Sequence, residues 1–346
     1  MQHPQLNLGL IGFSSEQRAS LQSILDKNLA QPMPTAGMED DVNFFNRPVW
    51  RITDFREANA LLLNTEQARW DAANILHFHS DPQHPNLIGV RPSELAVPYG
   101  ISGTCTNELA QVLPSNVVHV VLQDEGSVQR ACQSFEALLR PLRTAYALAY
   151  HLIDRRRELD DGHTFHLIRG GVLDAVVDVP LRRIAMRDGL RPMDLDDVAW
   201  QRRPATAHSP QEGFSVWMIE EVEWIFAMHC KQFVLPARYQ RMPIYLRRLP
   251  RVRAGMLYPR HNRLLQWLGD KPCTYEFLTS VWQDGEEQLL RDLYALYLCR
   301  AITTSTRRSK YTYEGAASGG RIDADSDTDS NLPANDSLVT APAGLQ

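Results

Sequence analysis
Residues 261–304, HNRLLQWLGDKPCTYEFLTSVWQDGEEQLLRDLYALYLCRAITT, constrain the fold most, because three short amphipathic patterns follow one another with short connections. The first offers Leu264, Leu265 and Leu268 and is closed by Gly269-Asp270. In the second, Thr274 is the expected N-cap, with Tyr275, Leu278, Val281 and Trp282 inward. In the third, Asp284 is the expected N-cap and Glu287 completes a capping box. Leu289, Leu290, Leu293, Leu296 and Tyr297 then recur at helical spacing, and AITT reads as a strand.

Three helices ending in a strand resemble a winged-helix module. In a DNA reader of that kind the third helix lies in the major groove and presents polar or basic groups near its start. Here its first turn is Gly285-Glu286-Glu287-Gln288, and Glu286 and Glu287 would meet phosphates with the wrong sign. Only Arg291 and Arg300 are basic in it, so packing or protein contact ranks ahead of base reading.

The first third of the chain alternates strand and helix patterns, which suggests an open α/β sheet. Residues 6–13 form an apolar run broken by Gly9 and Gly12, and Ser14-Ser15 caps a helix whose Leu21, Ile24, Leu25 and Leu29 share a face. Further strands are expected at 48–53, 60–64, 74–79, 86–90 and 117–123, with helices at 66–73 and 107–113 and a long connection at 31–47. The strands LGLIGF, ALLLNT and ILHFHSDP, with the helix after the first, resemble a divergent receiver domain of the response-regulator family. A receiver carries acidic residues after its first strand to hold magnesium, where this chain has Gly12-Phe13-Ser14-Ser15. Its phosphoacceptor aspartate ends the third strand, where this chain has Asn64, and an amide is not the carboxylate that aspartyl-phosphate chemistry requires. The resemblance therefore implies a pseudo-receiver. Gly9 and Gly12 are too close together for a dinucleotide fingerprint.

HFHSDPQH groups His77, His79 and His84 with Asp81. The two histidines at spacing two share one face of a strand, but no second ligand group completes a metal site, so no metal or cofactor is expected. Residues 127–158 read as one long helical pattern that Pro141 should kink or split, ending in Arg155-Arg156-Arg157 as a solvated turn. Such a helix couples domains or supports a homodimer; equally, it closes the first domain. Residues 164–188 change period: FHLIR, Gly170-Gly171, VLDAVVDV and LRRIAMRD read as a three-stranded antiparallel meander, with a short helix at MDLDDVAW. Asp174 and Asp178 are expected on its wet face. SVWMIEEVEWIFAMHC reads as a buried helix with Trp217, Trp224 and Met228 in one stripe.

The strongest functional hint is basic. Between Lys231 and Arg263 stand nine basic residues (Lys231, Arg238, Arg241, Arg247, Arg248, Arg251, Arg253, Arg260 and Arg263) and no acidic one, with Tyr239, Tyr245 and Tyr258 interleaved. Arginine forks suit phosphate and carboxylate partners. Three readings compete: a site for an anionic nucleotide or cyclic dinucleotide, nucleic-acid backbone contact aided by Arg307, Arg308 and Lys310, or a basic face docking an acidic protein. Arg247 and Arg251 are spaced like the arginine pair of cyclic-di-GMP-binding PilZ domains, but the companion D/N-x-S-x-x-G segment is absent.

The net charge of −5 over 346 residues argues against a generic nucleic-acid-coating protein. No apolar run approaches a membrane span, the start lacks a secretory leader's basic segment, and five scattered cysteines without CxxC fit free thiols in a reducing cytoplasm. The expected organisation is a receiver-like α/β domain (1–125), a coupling helix (126–160), a β meander with a short helix (161–213) and an α+β region with the buried helix, basic segment and winged-helix-like unit (214–306). A disordered tail is expected over 307–346, of which 315–346, rich in Ser, Gly, Asp, Ala and Pro, cannot bury enough apolar area to order itself. No serine–histidine–aspartate, cysteine–histidine, P-loop or zinc constellation is legible. The leading expectation is a non-enzymatic regulatory or scaffold protein of bacterial signalling with a protein partner and no membrane contact. A DNA-binding transcriptional regulator ranks second, and an enzyme built from dispersed residues third.

Overall fold
The computed structural model describes residues 4–28, 48–71, 75–81, 84–103, 117–159, 162–207 and 212–309. Two compact units divide between Thr144 and Ala145. The expected helix at 107–113, the connection at 31–47, Leu29, Cys105, Lys310 and the tail beyond it lie outside the described residues.

In the first unit, β1 (Gln5–Ile11), β2 (Val49–Thr53), β3 (Ala60–Asn64), β7 (Tyr99–Ser102) and β8 (Val118–Val120) form a parallel sheet in the order β2-β1-β3-β7-β8. Counting parallel strands alone this is 2-1-3-4-5, one of the common doubly wound orders. The central strands are buried on both faces, which explains why LGLI and ALLL read as continuous apolar runs. Alternation splits their side chains. Leu6, Leu8, Leu10, Ala60 and Leu62 meet helices α1 (Ser15–Asn28) and α2 (Glu125–Leu138), which supply Leu21, Ile24, Leu25, Val128, Ala131 and Phe135. A reciprocal cap starts α1: Gln17 N–H donates to Ser14 Oγ at 3.2 Å and Ser14 N–H to Gln17 Oε1 at 3.0 Å.

The opposite face carries Ile11, Leu61, Leu63 and Ile101, covered by Leu76, Phe78 and Val90 of a three-stranded antiparallel sheet. That sheet is β4 (Ala68–Trp70), β5 (Leu76–Asp81) and β6 (His84–Val90). The helix expected at 66–73 is therefore a 3-10 turn, Thr65–Gln67, followed by β4. Its residues favour a helix locally, but Ala68, Arg69 and Trp70 pair with Phe78, His77 and Leu76, and tertiary pairing overrides propensity.

Helix α3 (Arg140–Asp154) follows α2 after Leu139, so the long helical pattern is split beside Pro141 as expected. The division between units falls inside it. Arg156 begins a short helical turn and is buried, with Nη2 3.5 Å from the Leu298 carbonyl, so the triple arginine is not wholly solvated.

The second unit holds an antiparallel sheet of β9 (Thr164–Arg169), β10 (Val172–Asp178), β11 (Arg183–Arg187), β12 (Ala199–Arg203) and β13 (Phe214–Met218) in the order β12-β9-β10-β11-β13. The expected meander β9-β10-β11 is its centre, turned at Gly170 and Gly171, both at positive φ. MDLDDVAW opens as a 3-10 turn, Pro192–Leu195, and passes into β12. A register shift between Leu173 and Ala175 breaks the alternation and turns Asp174 inward. Asp174 is 0 % exposed and held by Arg169 and Arg187, and Asp178 is buried with Oδ1 accepting from Leu181 N–H, which corrects the wet-face expectation.

The segment read as one buried helix divides into edge strand β13 and helix α4 (Ile219–His229), which removes Trp217 from the buried stripe. Helices α5 (Pro259–Asp270), α6 (Tyr275–Val281) and α7 (Glu286–Leu298) stand where the sequence places them. Thr274 Oγ1 caps α6 by accepting from Phe277 N–H at 3.2 Å. Helix α7 starts later than expected, after Gly285 at φ 86°, so Asp284 does not cap it. From Arg291 to Leu298 it is buried on all sides. Strand β15 (Ile302–Thr303) pairs with β14 (Tyr245–Leu246), which precedes the three helices. Among the described residues no helix is long and apolar enough to cross a membrane.

Candidate functional site
Helix α4 begins with three glutamates, and all of them are buried: Glu220, Glu221 and Glu223 are 1 %, 5 % and 5 % exposed. Carboxylates at a helix N-terminus suit its dipole, and Glu221 Oε2 accepts from Met218 N–H at 3.1 Å. Burial of such charges is tolerable only with partners. Those partners come chiefly from the arginine run and from the β10–β11 turn.

Arg248 Nη2 lies 2.6 Å from Glu220 Oε1 and also donates to the Cys299 carbonyl at 3.0 Å. Arg251 N–H donates to Glu220 Oε2 at 2.7 Å. Arg182 bridges Glu220 and Glu223, Nε to Glu220 Oε1 at 3.1 Å and Nη2 to Glu223 Oε2 at 3.3 Å. Arg253 Nε is 3.1 Å from Glu221 Oε1, with its guanidinium 4.7 Å above the Trp217 ring. Burial pushes the Glu223 carboxyl above its usual pKa, against the pull of Arg156, Arg182 and Arg300. Burial likewise raises the Cys299 thiol well above its usual value, with Glu223 and Glu220 adding to the rise.

Arg182 and Arg300 are the two non-glycine residues with left-handed φ, at 52° and 55°, among the described residues. A left-handed backbone costs an ordinary residue about 1 kcal/mol or more. Arg182 turns the β10–β11 connection and reaches Glu220 and Glu223, while Arg300 ends α7, where its N–H donates to the Tyr297 carbonyl and Ala301 N–H to the Leu296 carbonyl.

A second buried cluster centres on Asp292, which is 0 % exposed. It accepts from Arg260 Nε at 2.9 Å, His261 Nε2 at 3.0 Å and Gln288 Nε2 at 2.8 Å. Tyr258 N–H donates to His261 Nδ1 at 2.9 Å, which makes Nε2 the protonated nitrogen. Neither ring nitrogen is left to take a proton from a nucleophile. Arg291 donates to the carbonyls of Ala227, Met228 and Cys230, satisfying the C-terminus of α4.

The candidate anion-binding residues thus part company. Arg248, Arg253 and Arg260 are tied to buried carboxylates. Arg238 lies over the Tyr239 ring in a helical turn, and Arg263 reaches Gln283 at 3.4 Å. Arg241, Arg247 and Arg251 are exposed, with the backbone N–H of Arg247 bonded to the Ala301 carbonyl. Of the interleaved tyrosines, Tyr239 is buried and donates to the Ile302 carbonyl at 3.3 Å.

In the first unit, Asn64 ends β3 beside β1, at the carboxyl edge where doubly wound sheets bind ligands. It is 1 % exposed, and its Oδ1 accepts from Glu66 N–H at 3.2 Å to cap the 3-10 turn. Gly12, at φ +80°, lies beside this strand end: a Cβ on it would stand 2.7 Å from Phe78 Cδ1 and 3.1 Å from the Asn64 carbonyl oxygen. Of the histidine group, His77 Nε2 is 2.7 Å from Asp71 Oδ2, and the side chains of His79, Asp81 and His84 lie outside the described residues. Among the described residues no group of His, Cys, Asp and Glu side chains is arranged to hold a metal.

Compared with known proteins, the chain matches no family model and has no significant match among curated sequences or solved structures. Arg182 and Asp292 were not legible as cluster residues in the sequence, and neither were Glu220, Glu221 and Glu223. For the glutamates a signal was nonetheless present: three of them in a helix without a polar face, just before an acid-free run of arginines.

Proposed function
We propose that this chain is a non-enzymatic regulatory or scaffold protein. Its first unit is a pseudo-receiver, and it acts by binding an acidic protein partner rather than by phosphoryl chemistry. The observation that carries this reading is Asn64, an amide at the strand end where a receiver bears its phosphoacceptor, buried at 1 % exposure and engaged as a backbone cap. The 2-1-3-4-5 strand order supports the receiver-like reading, and the antiparallel sheet over one face sets this unit apart from a helix-covered one. The buried carboxylates elsewhere accept from arginines or backbone donors, which suits structure better than proton transfer. The exposed Arg241, Arg247 and Arg251 are the docking groups for the acidic partner. A DNA reader that used α7 would present the start of that helix to the groove, and the exposed side chains there are Glu286 and Glu287.

The test is thermal unfolding of the full chain with Mg²⁺ and beryllium fluoride, alongside a turnover assay on nucleoside triphosphates. Ligands that bind the folded state must raise Tm. The expected outcome is no shift and no turnover. A beryllofluoride-dependent rise in Tm would overturn the pseudo-receiver reading, and turnover would overturn the non-enzymatic one.

A further inference from the structure
The five-stranded sheet of the second unit has two edges of opposite character. On β12, Gln201, Arg202 and Arg203 are exposed, and charge of this kind protects an edge from pairing. On β13 the residues are Phe-Ser-Val-Trp-Met, with Val216 48 % exposed and no charged side chain. The backbone bonds fix which groups face outward. Asp188 N–H donates to the Gly213 carbonyl and Ile219 N–H to the Arg182 carbonyl, in register with Ile184↔Trp217. Antiparallel alternation then directs the N–H and C=O of Phe214 and Val216, and the C=O of Met218, away from β11. Met218 N–H is taken by Glu221.

Charge along this edge is polarised. At the Met218 end, Arg251 and Arg253 are exposed, brought there by the bonds of Arg251 N–H to Glu220 and of Arg253 to Glu221. Leu181 and Leu249 are exposed at the same end, at 46 % and 59 %. At the other end Glu212 is exposed, just before β13. A strand edge that is positive at one end, negative at the other and apolar in the middle is complementary to itself when turned antiparallel.

We infer that β13 is the interface of a homodimer, in which two copies pair edge to edge about a two-fold axis through Val216. Val216 then exchanges both of its outward backbone bonds with its equivalent, and Phe214 N–H donates to the partner's Met218 carbonyl. Glu212 of each copy lies beside Arg251 and Arg253 of the other. The interface is isologous and closes as a dimer. It goes beyond the regulatory reading, with which it shares Arg251.

Sedimentation velocity of the full chain across a concentration series tests this. The wild type should show a reversible dimer. Val216→Lys should raise the dimer Kd by about tenfold or more, as removal of a central contact does. Glu212→Arg and Arg251→Glu should each weaken the dimer severalfold, and the two together should restore it. Gln201→Glu on the other edge should leave it unchanged. Circular dichroism checks that Val216→Lys folds; if it does not, the charge-reversal pair, made at exposed residues, decides. A monomer at every concentration to about 100 μM, or a dimer indifferent to the charge reversals, would overturn the inference.

Discussion

Arg248 and Glu220 join two segments far apart in sequence: the guanidinium Nη2 stands 2.6 Å from a carboxylate that is 1 % exposed on α4. The arginine run, read alone, is a positive surface. In the folded unit Arg248 and Arg253 of that run are the counter-charge of α4, whose carboxylates could not otherwise be buried, and Arg260 is that of Asp292 on α7.

One consequence concerns polyanions. With Arg248, Arg253 and Arg260 engaged internally, duplex DNA at about 0.15 M salt should leave Tm of the wild type unchanged. Weakening the internal pairs should matter more than removing the outer arginines. A Tm rise with DNA or a cyclic dinucleotide that disappears in the Arg247→Ala, Arg251→Ala double variant would show that the exposed remainder binds such ligands.

Glu223 makes stability depend on pH. Burial raises its pKa in the folded chain above the usual 4.5, so the folded state takes up this proton at higher pH than the unfolded chain. Its contribution is fully present below the unfolded pKa and is lost as pH rises through the raised native value. Denaturant unfolding of Glu223→Gln should therefore differ most from wild type at neutral pH, with the difference shrinking on acidification before pH 4.5 is reached. A difference that grows on acidification would contradict this assignment.

In the first unit, Gly12 and Phe78 compete for the same space. Gly12→Ala should destabilise by about 1–3 kcal/mol through overpacking and its positive φ. Phe78→Ala should cost about 3–5 kcal/mol. Because one change vacates the space the other needs, the double variant should be more stable than the sum of the two costs implies, a coupling measurable by urea unfolding. Additive costs would mean that Phe78 does not limit Gly12.

Periodicity made the local elements legible. The Ser14 cap, the apolar LGLI and ALLL strands, the split beside Pro141, the Gly170-Gly171 turn and the helices around Leu264, Leu278 and Leu293 all carry their signals within a few residues. Misreadings arose where distant partners decide the outcome. Ala68–Trp70 is a strand because β5 needs a neighbour, and Trp217 belongs to a strand because β11 does. Asp174 turns inward at a bulge that only Arg169 and Arg187 make tolerable. The site suffered most from this: Arg248 and Glu220 are 28 positions apart, and neither residue alone shows that the other neutralises it.

The most direct measurement is a double-mutant cycle on Glu220→Gln and Arg248→Met, followed by denaturant unfolding at neutral pH. Each single change should destabilise the second unit: Arg248→Met leaves the buried Glu220 with only Arg182 and the Arg251 N–H, and Glu220→Gln leaves Arg248 without its carboxylate. Allowing for the partial exposure of Arg248, the coupling between them should be about 1–3 kcal/mol. A coupling indistinguishable from zero would mean that the arginine run is not held by α4, and the basic surface read from the sequence would regain its place.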